Sequence, residues 1–146
     1  MRKRRGRGWA ARAAVTGALC AGSLAPAAAR AAEEPLPPQG APPPGANVYS
    51  CKPPARHPYP VVIVHGTFGN QSILWDTVAG ALERLHYCVF ALDYGNSPFP
   101  GINGVGDIPT SARQLQTFIN RVLGATHASK VTIVGHSQGG MMPRYY

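Results

Sequence analysis

Val131-Thr132-Ile133-Val134-Gly135-His136-Ser137-Gln138-Gly139-Gly140 is a β-branched run that delivers a serine between two glycines in the spacing Gly-x-Ser-x-Gly. A strand that turns at once into a helix strains the residue at its apex, and side chains at the flanking positions collide with neighbouring backbone. Gly135 and Gly139 are therefore read as elbow glycines, with Ser137 as the residue whose hydroxyl is lifted clear of a sheet. The backbone N–H that follows, that of Gln138, is left free to bind an oxyanion. The plainer reading is a glycine-rich strand-to-helix turn in which the serine is incidental.

Upstream the pattern alternates between short apolar runs and helical stripes. Val61–Val64 is continuously apolar and β-branched, as in a strand buried on both faces, and it ends at His65-Gly66. Ser72 to Leu85 carries a helical stripe of Leu74, Val78, Ala81, Leu82 and Leu85. Cys88 to Leu92 reads as a second strand, stopped by Asp93-Tyr94-Gly95. After a Gly/Pro-rich loop, Asp107 is positioned as an N-cap with Pro109 in the first turn. Ile108, Ala112, Leu115, Ile119 and Val122 then form the clearest amphipathic stripe, and Val131–Val134 is the third strand. The order β-α-β-α-β predicts an α/β fold: a parallel sheet with right-handed crossovers and flanking helices, ending just past the elbow.

The 146 residues leave room for one modest domain, and the net charge is +8. Seven of the fourteen basic residues lie within the first thirty positions, whereas all six acids lie after residue 32. The rest of the chain is nearly neutral, which argues against a nucleic-acid partner. Residues 1–31 read as a secretory signal: a basic start, a small-residue apolar stretch from Ala13 to Ala25, and A-x-A sites at Ala27–Ala29 and Ala29–Ala31. That apolar run is shorter than the ~20 residues a membrane-spanning helix needs, so no stable anchor is expected and the localisation expected is extracellular. Residues 32–46 are proline-rich and are expected to form an extended tether that does not pack, with the globular part starting at residue 47. Cys51 and Cys88 remain after the leader. An even count in an exported chain points to one disulfide tying an incoming segment to the sheet; two buried thiols are the other reading.

A second motif, His65-Gly66-Thr67-Phe68-Gly69, follows the first strand directly. Acyl transfer needs two backbone donors aimed at a developing oxyanion. Thr67 is the candidate beside Gln138, and a tight turn with conformational glycines is the alternative. His65–Asn70, Cys88–Gly95 and Gly135–Tyr146 together resemble the α/β-hydrolase superfamily, and more narrowly the secreted bacterial triacylglycerol lipases and esterases of lipase class 2. The resemblance covers residues 49 to 146. It implies a carboxylic-ester hydrolase acting on acyl esters or lipids, with Ser137 as nucleophile and Thr67 and Gln138 as oxyanion donors.

The resemblance also implies a triad in the order Ser, Asp or Glu, His, and no such acid and histidine follow Ser137 here. The chain is accordingly read as the N-terminal part of such an enzyme. His136 is expected to pack locally, His65 to order its loop, and His57, His86 and His127 to lie on the surface or in loops. Asp93, at the end of a strand, is a conceivable orienting carboxylate but fits a loop hydrogen bond better. No CxxC pair, histidine–carboxylate cluster or phosphate-binding glycine loop is present, so neither a cofactor nor a metal is expected. Gly101, Gly104 and Gly106 are read as shaping a loop near the substrate. The elbow does not separate hydrolysis from acyl transfer to another acceptor or thioester cleavage, and a non-catalytic exported fragment is the reading from another class.

Overall fold

The four residues Val61–Val64 are all buried, and this β1 strand is the central strand of the sheet. The computed structural model describes residues 33–146; the leader at residues 1–31 lies outside them. β2 (Val89–Leu92) and β3 (Thr132–Gly135) pair with β1 in parallel, in the order β2-β1-β3. Val64 stands opposite Leu92 on one side and Gly135 on the other. The segments that follow all three strands therefore emerge at one end of the sheet, the end where open α/β sheets place their ligands. The expected fold class and the β-α-β-α-β order of elements are found, with β2 and β3 each beginning one residue later than the apolar runs.

Helices cover both faces. α2 (Ile108–Thr126) starts as its sequence predicts: Asp107 accepts from the Thr110 N–H at 2.9 Å and Pro109 sits in the first turn. Leu115, Phe118, Ile119 and Val122 pack onto Val62, Val64, Phe90 and Leu92. Burial of such side chains contributes about 2 kcal/mol each. On the other face α1 (Asp76–Arg84) is shorter than the expected Ser72–Leu85, and its stripe is different. Leu74, Val78 and Leu85 are exposed, while Trp75 and Ala79 reach the core. The reason is local. Leu74 takes a positive φ of 71°, and Asn70 Oδ1 binds the N–H groups of Ser72 and Ile73, so the chain turns before the helix begins.

The expectation that the proline-rich segment does not pack is corrected. Leu36 packs against the core, and Pro37 and Pro43 are buried. More telling is how the outer edge of β2 is satisfied. Asn47 N donates to Val89 O at 2.9 Å beside an Ala46–Val89 bridge. The Asn47 side-chain amide then accepts from Ala91 N (2.8 Å) and donates to Ala91 O (2.9 Å). Gln39 repeats the pattern on Asp93, accepting from its N–H at 2.8 Å and donating to its carbonyl at 2.9 Å. Residues 89, 91 and 93 point their backbone groups outward; the Asn47 backbone meets Val89, and side-chain amides complete Ala91 and Asp93 in place of a neighbouring strand. Proline lowers the number of donors in a segment, but glutamine and asparagine amides supply both a donor and an acceptor.

Cys51 and Cys88 form a disulfide across 37 residues, as the cysteine count suggested. It fixes the segment that carries Asn47 to the residue just before β2. By the loop-entropy relation, closing a loop of that length is worth about 4 kcal/mol. Replacing both cysteines by alanine is expected to lower unfolding free energy by about 2–4 kcal/mol in denaturant titration. A change below half a kcal/mol would show that the bridge adds nothing to the hydrogen-bonded edge.

Candidate active site

Ser137 has φ 54° and ψ −121°, a region that residues other than glycine occupy at a cost of roughly 1–3 kcal/mol. The strain is imposed by contact on both sides. A Cβ on Gly135 would overlap the carbonyl of Gly139, and a Cβ on Gly139 would overlap the carbonyl oxygens of Val64 and His65. The two glycines let the turn close onto the end of β1, as the sequence spacing requires. α3 (Gln138–Met141) follows, continued by a 3₁₀ turn at Met142–Arg144 in which Pro143 sits in the first turn and needs no donor. Met142 is fully buried in the α2 core cluster and anchors this short segment. Ser137 and His136 remain exposed.

The loop after β1 lies against the elbow. A Cβ on Gly66 would come 2.9 Å from Ser137 Cβ and 3.2 Å from His136 Nδ1. The Gly66 carbonyl accepts from His65 Nδ1 at 2.8 Å and from Gly69 N at 3.1 Å. In a trans peptide the C=O and the next N–H point in opposite directions. Two donors holding Gly66 O therefore aim the Thr67 N–H away from the interior of the loop, where the Thr67 side chain is exposed. Gln138 is the first residue of α3, so its N–H has no acceptor within the helix.

His65 is buried, and its ring stacks on Tyr94 with centroids 4.4 Å apart. Nδ1–H serves Gly66 O, and Nε2 is left without a hydrogen-bond partner among the described residues. Burial pulls its pKa below 6.5, opposed by the Gly66 carbonyl and the Asp93 carboxylate. The ring is neutral, in the Nδ1–H tautomer, and engaged in ordering its loop.

Asp93 is buried and bonds to loops, not to an imidazole. Oδ1 accepts from Gln71 N at 2.7 Å, and Oδ2 from Gly40 N at 2.7 Å. Its 3.9 Å separation from His65 Nε2 is too long for a hydrogen bond. His57 stacks on Tyr87, His86 is exposed, and His127 caps the C-terminus of α2 with φ 58°. Among the described residues no cluster of histidine, cysteine or carboxylates could hold a metal ion. Gly104, with φ 69°, packs so that a Cβ there would come 2.8 Å from Gly66 O, which places the glycine loop behind the β1 loop.

Sequence reasoning passed over Tyr94, Gln71 and Gln39. Tyr94 was read as part of a strand stop and of the Cys88–Gly95 motif, with no role of its own, yet its hydroxyl lies 2.7 Å from His65 O and 3.0 Å from Gln138 Oε1. A tyrosine two residues past a buried strand, facing two glycine loops, was the available signal.

A parallel sheet with helices on both faces and a strained serine at the end of its third strand defines an α/β-hydrolase-type fold. The model of the family Lipase (class 2) matches residues 58–146, and the chain belongs to that family. Triacylglycerol lipases of Pseudarthrobacter phenanthrenivorans and Burkholderia plantarii are each 36% identical over 93 residues, 60% of this chain and 27% and 24% of theirs. A triacylglycerol lipase of Vibrio cholerae is 33% identical over 89 residues, 60% of this chain and 27% of its own. The chain thus spans about a quarter of the length of these relatives.

The His65 environment fixes a pH dependence. Its folded pKa is depressed, so its contribution to stability is complete above pH 6.5 and is lost as pH falls below that value. The unfolded chain then takes a proton that the buried ring refuses. In an NMR titration the His65 ring resonances are expected to change with a midpoint below 6.5. A midpoint above it would mean that the ring is charged and bonded differently.

Proposed function

We propose that the protein is a secreted carboxylic-ester hydrolase of the triacylglycerol-lipase kind, working through an acyl-enzyme on Ser137. The observation that carries this reading is the backbone of Ser137, exposed at φ 54° and ψ −121° on a turn that two glycines close against β1. Strain of that kind persists only where surrounding structure enforces it. Here it holds a nucleophile away from the sheet, beside a loop with an outward N–H.

In the proposed reaction Ser137 Oγ attacks the ester carbonyl, and the negative charge that develops on the carbonyl oxygen is met by the Thr67 and Gln138 N–H groups. His65 acts behind this site, since its Nδ1–H and the Gly69 N–H polarise the peptide whose N–H is that of Thr67. The alkoxide leaves with a proton, and water then releases the acid. An imidazole must take the serine proton and a carboxylate must hold that imidazole. His65 does not stand in the first role: it is sealed and bonded to Gly66 O.

The test is covalent labelling of the native protein by a fluorophosphonate. The label is expected on Ser137, and Ser137→Ala is expected to abolish it and to lower ester hydrolysis by roughly 10⁴-fold or more. Labelling that persists in Ser137→Ala would falsify the assignment.

Export is proposed on the composition of residues 1–31 and fits the Cys51–Cys88 disulfide, since such bonds persist in oxidising compartments. N-terminal sequencing of protein recovered from the medium is expected to begin at Arg30 or Ala32. A mature protein that retains Met1 would contradict a cleaved signal.

A further inference from the structure

Tyr94 follows β2 and is fully buried, and its ring stacks on His65 at 4.4 Å and 22°. Its hydroxyl lies 2.7 Å from the carbonyl oxygen of His65 and 3.0 Å from the side-chain amide oxygen of Gln138. These are the two walls of the proposed anion site: one loop carries the Thr67 N–H, the other residue carries the second N–H. Tyr94 comes from a third element and touches both.

We propose that Tyr94 is a positioning residue that holds the two oxyanion donors in register, an inference that rests on the assignment of Ser137, Thr67 and Gln138 above. A phenol has one proton, and the shorter contact is to His65 O, which can only accept. Gln138 Oε1, the acceptor in the second contact, lies 3.0 Å from the same hydroxyl. The hydroxyl is thus within hydrogen-bonding reach of an acceptor on each wall. Burial raises the pKa of this phenol, so it remains a donor through the pH range in which esters are hydrolysed.

The main chain of Tyr94 acts in the same direction. Its carbonyl accepts from Gly104 N at 2.8 Å, and Gly104 backs onto Gly66 O and lies close to Gln138 Oε1. Gly95 N, one residue on, is held by Gln114 Oε1 of α2 at 2.8 Å. The segment that carries the hydroxyl is therefore fixed to the largest helix. A donor pair gains its catalytic effect from being set before charge develops, so a loss of register weakens the transition state more than the bound ester.

Tyr94→Phe keeps the ring and its stacking on His65 and removes only the hydroxyl. In the native protein acting on a soluble p-nitrophenyl ester, kcat is expected to fall by about 10- to 100-fold with KM nearly unchanged. Affinity for an alkylboronic acid, which mimics the tetrahedral intermediate, is expected to fall by a similar factor. Gln138→Met is expected to produce the same split, and the double variant to cost little more than either single change, because both remove one link. A purely structural tyrosine would lower the melting temperature and leave kcat of the folded fraction unchanged, and that result overturns the proposal. Additive effects of the two variants overturn it as well. Should Tyr94→Phe fail to show a cooperative melt, Gln138→Met alone decides, and an unchanged kcat there sinks the idea. Failure of the underlying reading shows differently: fluorophosphonate labelling would then survive in Ser137→Ala, which also removes this proposal, whereas Ser137-dependent labelling with unchanged kcat in the variants removes the positioning role alone.

Discussion

The close approach of the elbow to the end of β1 is the constraint on which the rest of the site depends. Gly139 lies against the carbonyl oxygens of Val64 and His65 with no space for a side chain between them. That contact sets the distance from the third strand's turn to the first strand's loop, and it forces Ser137 into its strained backbone. It is possible only because β1 is the central strand and the register puts Val64 beside Gly135. A slip of one residue would turn every β1 side chain to the opposite face and separate Gly66 from Ser137. The four buried β-branched residues of β1 therefore specify the site as well as the core.

The two flanks of this sheet are treated differently, and the difference explains the proline-rich segment. β3 is partly exposed, and among the described residues no strand lies on its outer side. β2 is buried on both faces, and its outer edge is completed by Asn47 and Gln39. An unpaired edge is a template for unwanted pairing, and covering it with side-chain amides removes the open donors and acceptors. The same segment brings the Gly40 N–H to Asp93, whose other oxygen holds Gln71 N. The N-terminal segment thus reaches the loop after β1 through the Asp93 carboxylate and also directly, Gln71 Nε2 donating to Gly40 O and Asn47 Nδ2 donating to Gln71 Oε1 at 3.1 Å, and the disulfide at Cys51 keeps that segment in place.

The parts of this arrangement that repeat or alternate in sequence were legible there. The β-α-β-α-β order, the α2 stripe with its Asp107 cap and the spacing of the elbow glycines follow from local rules of spacing and capping, and the cysteine pairing from the even count that remains after the leader. What was not legible depends on contacts far apart in sequence. Nothing near Gln39 indicates that it completes Asp93, 54 residues away, and composition alone made its neighbourhood a tether. Leu74 fits a helical period, yet a side chain four residues earlier, Asn70, turns the chain before that period can be used. The strand-end tyrosine was read as punctuation because its hydroxyl has no partner within its own segment.

The groups at this end of the sheet that could carry chemistry are mostly committed to backbone. Asp93 serves two N–H groups, His65 serves the Gly66 carbonyl, and Tyr94 serves the His65 carbonyl. Burial holds His65 neutral and keeps the Tyr94 phenol protonated, so neither is suited to exchanging protons near neutral pH. Each is a donor fixed in one direction. The consequence is a frame in which Ser137 is exposed and strained while His65, Asp93 and Tyr94 behind it are buried. A site built this way commits its polar side chains to orienting peptides, and the peptides, through their opposite N–H ends, supply the field that the proposed reaction would use.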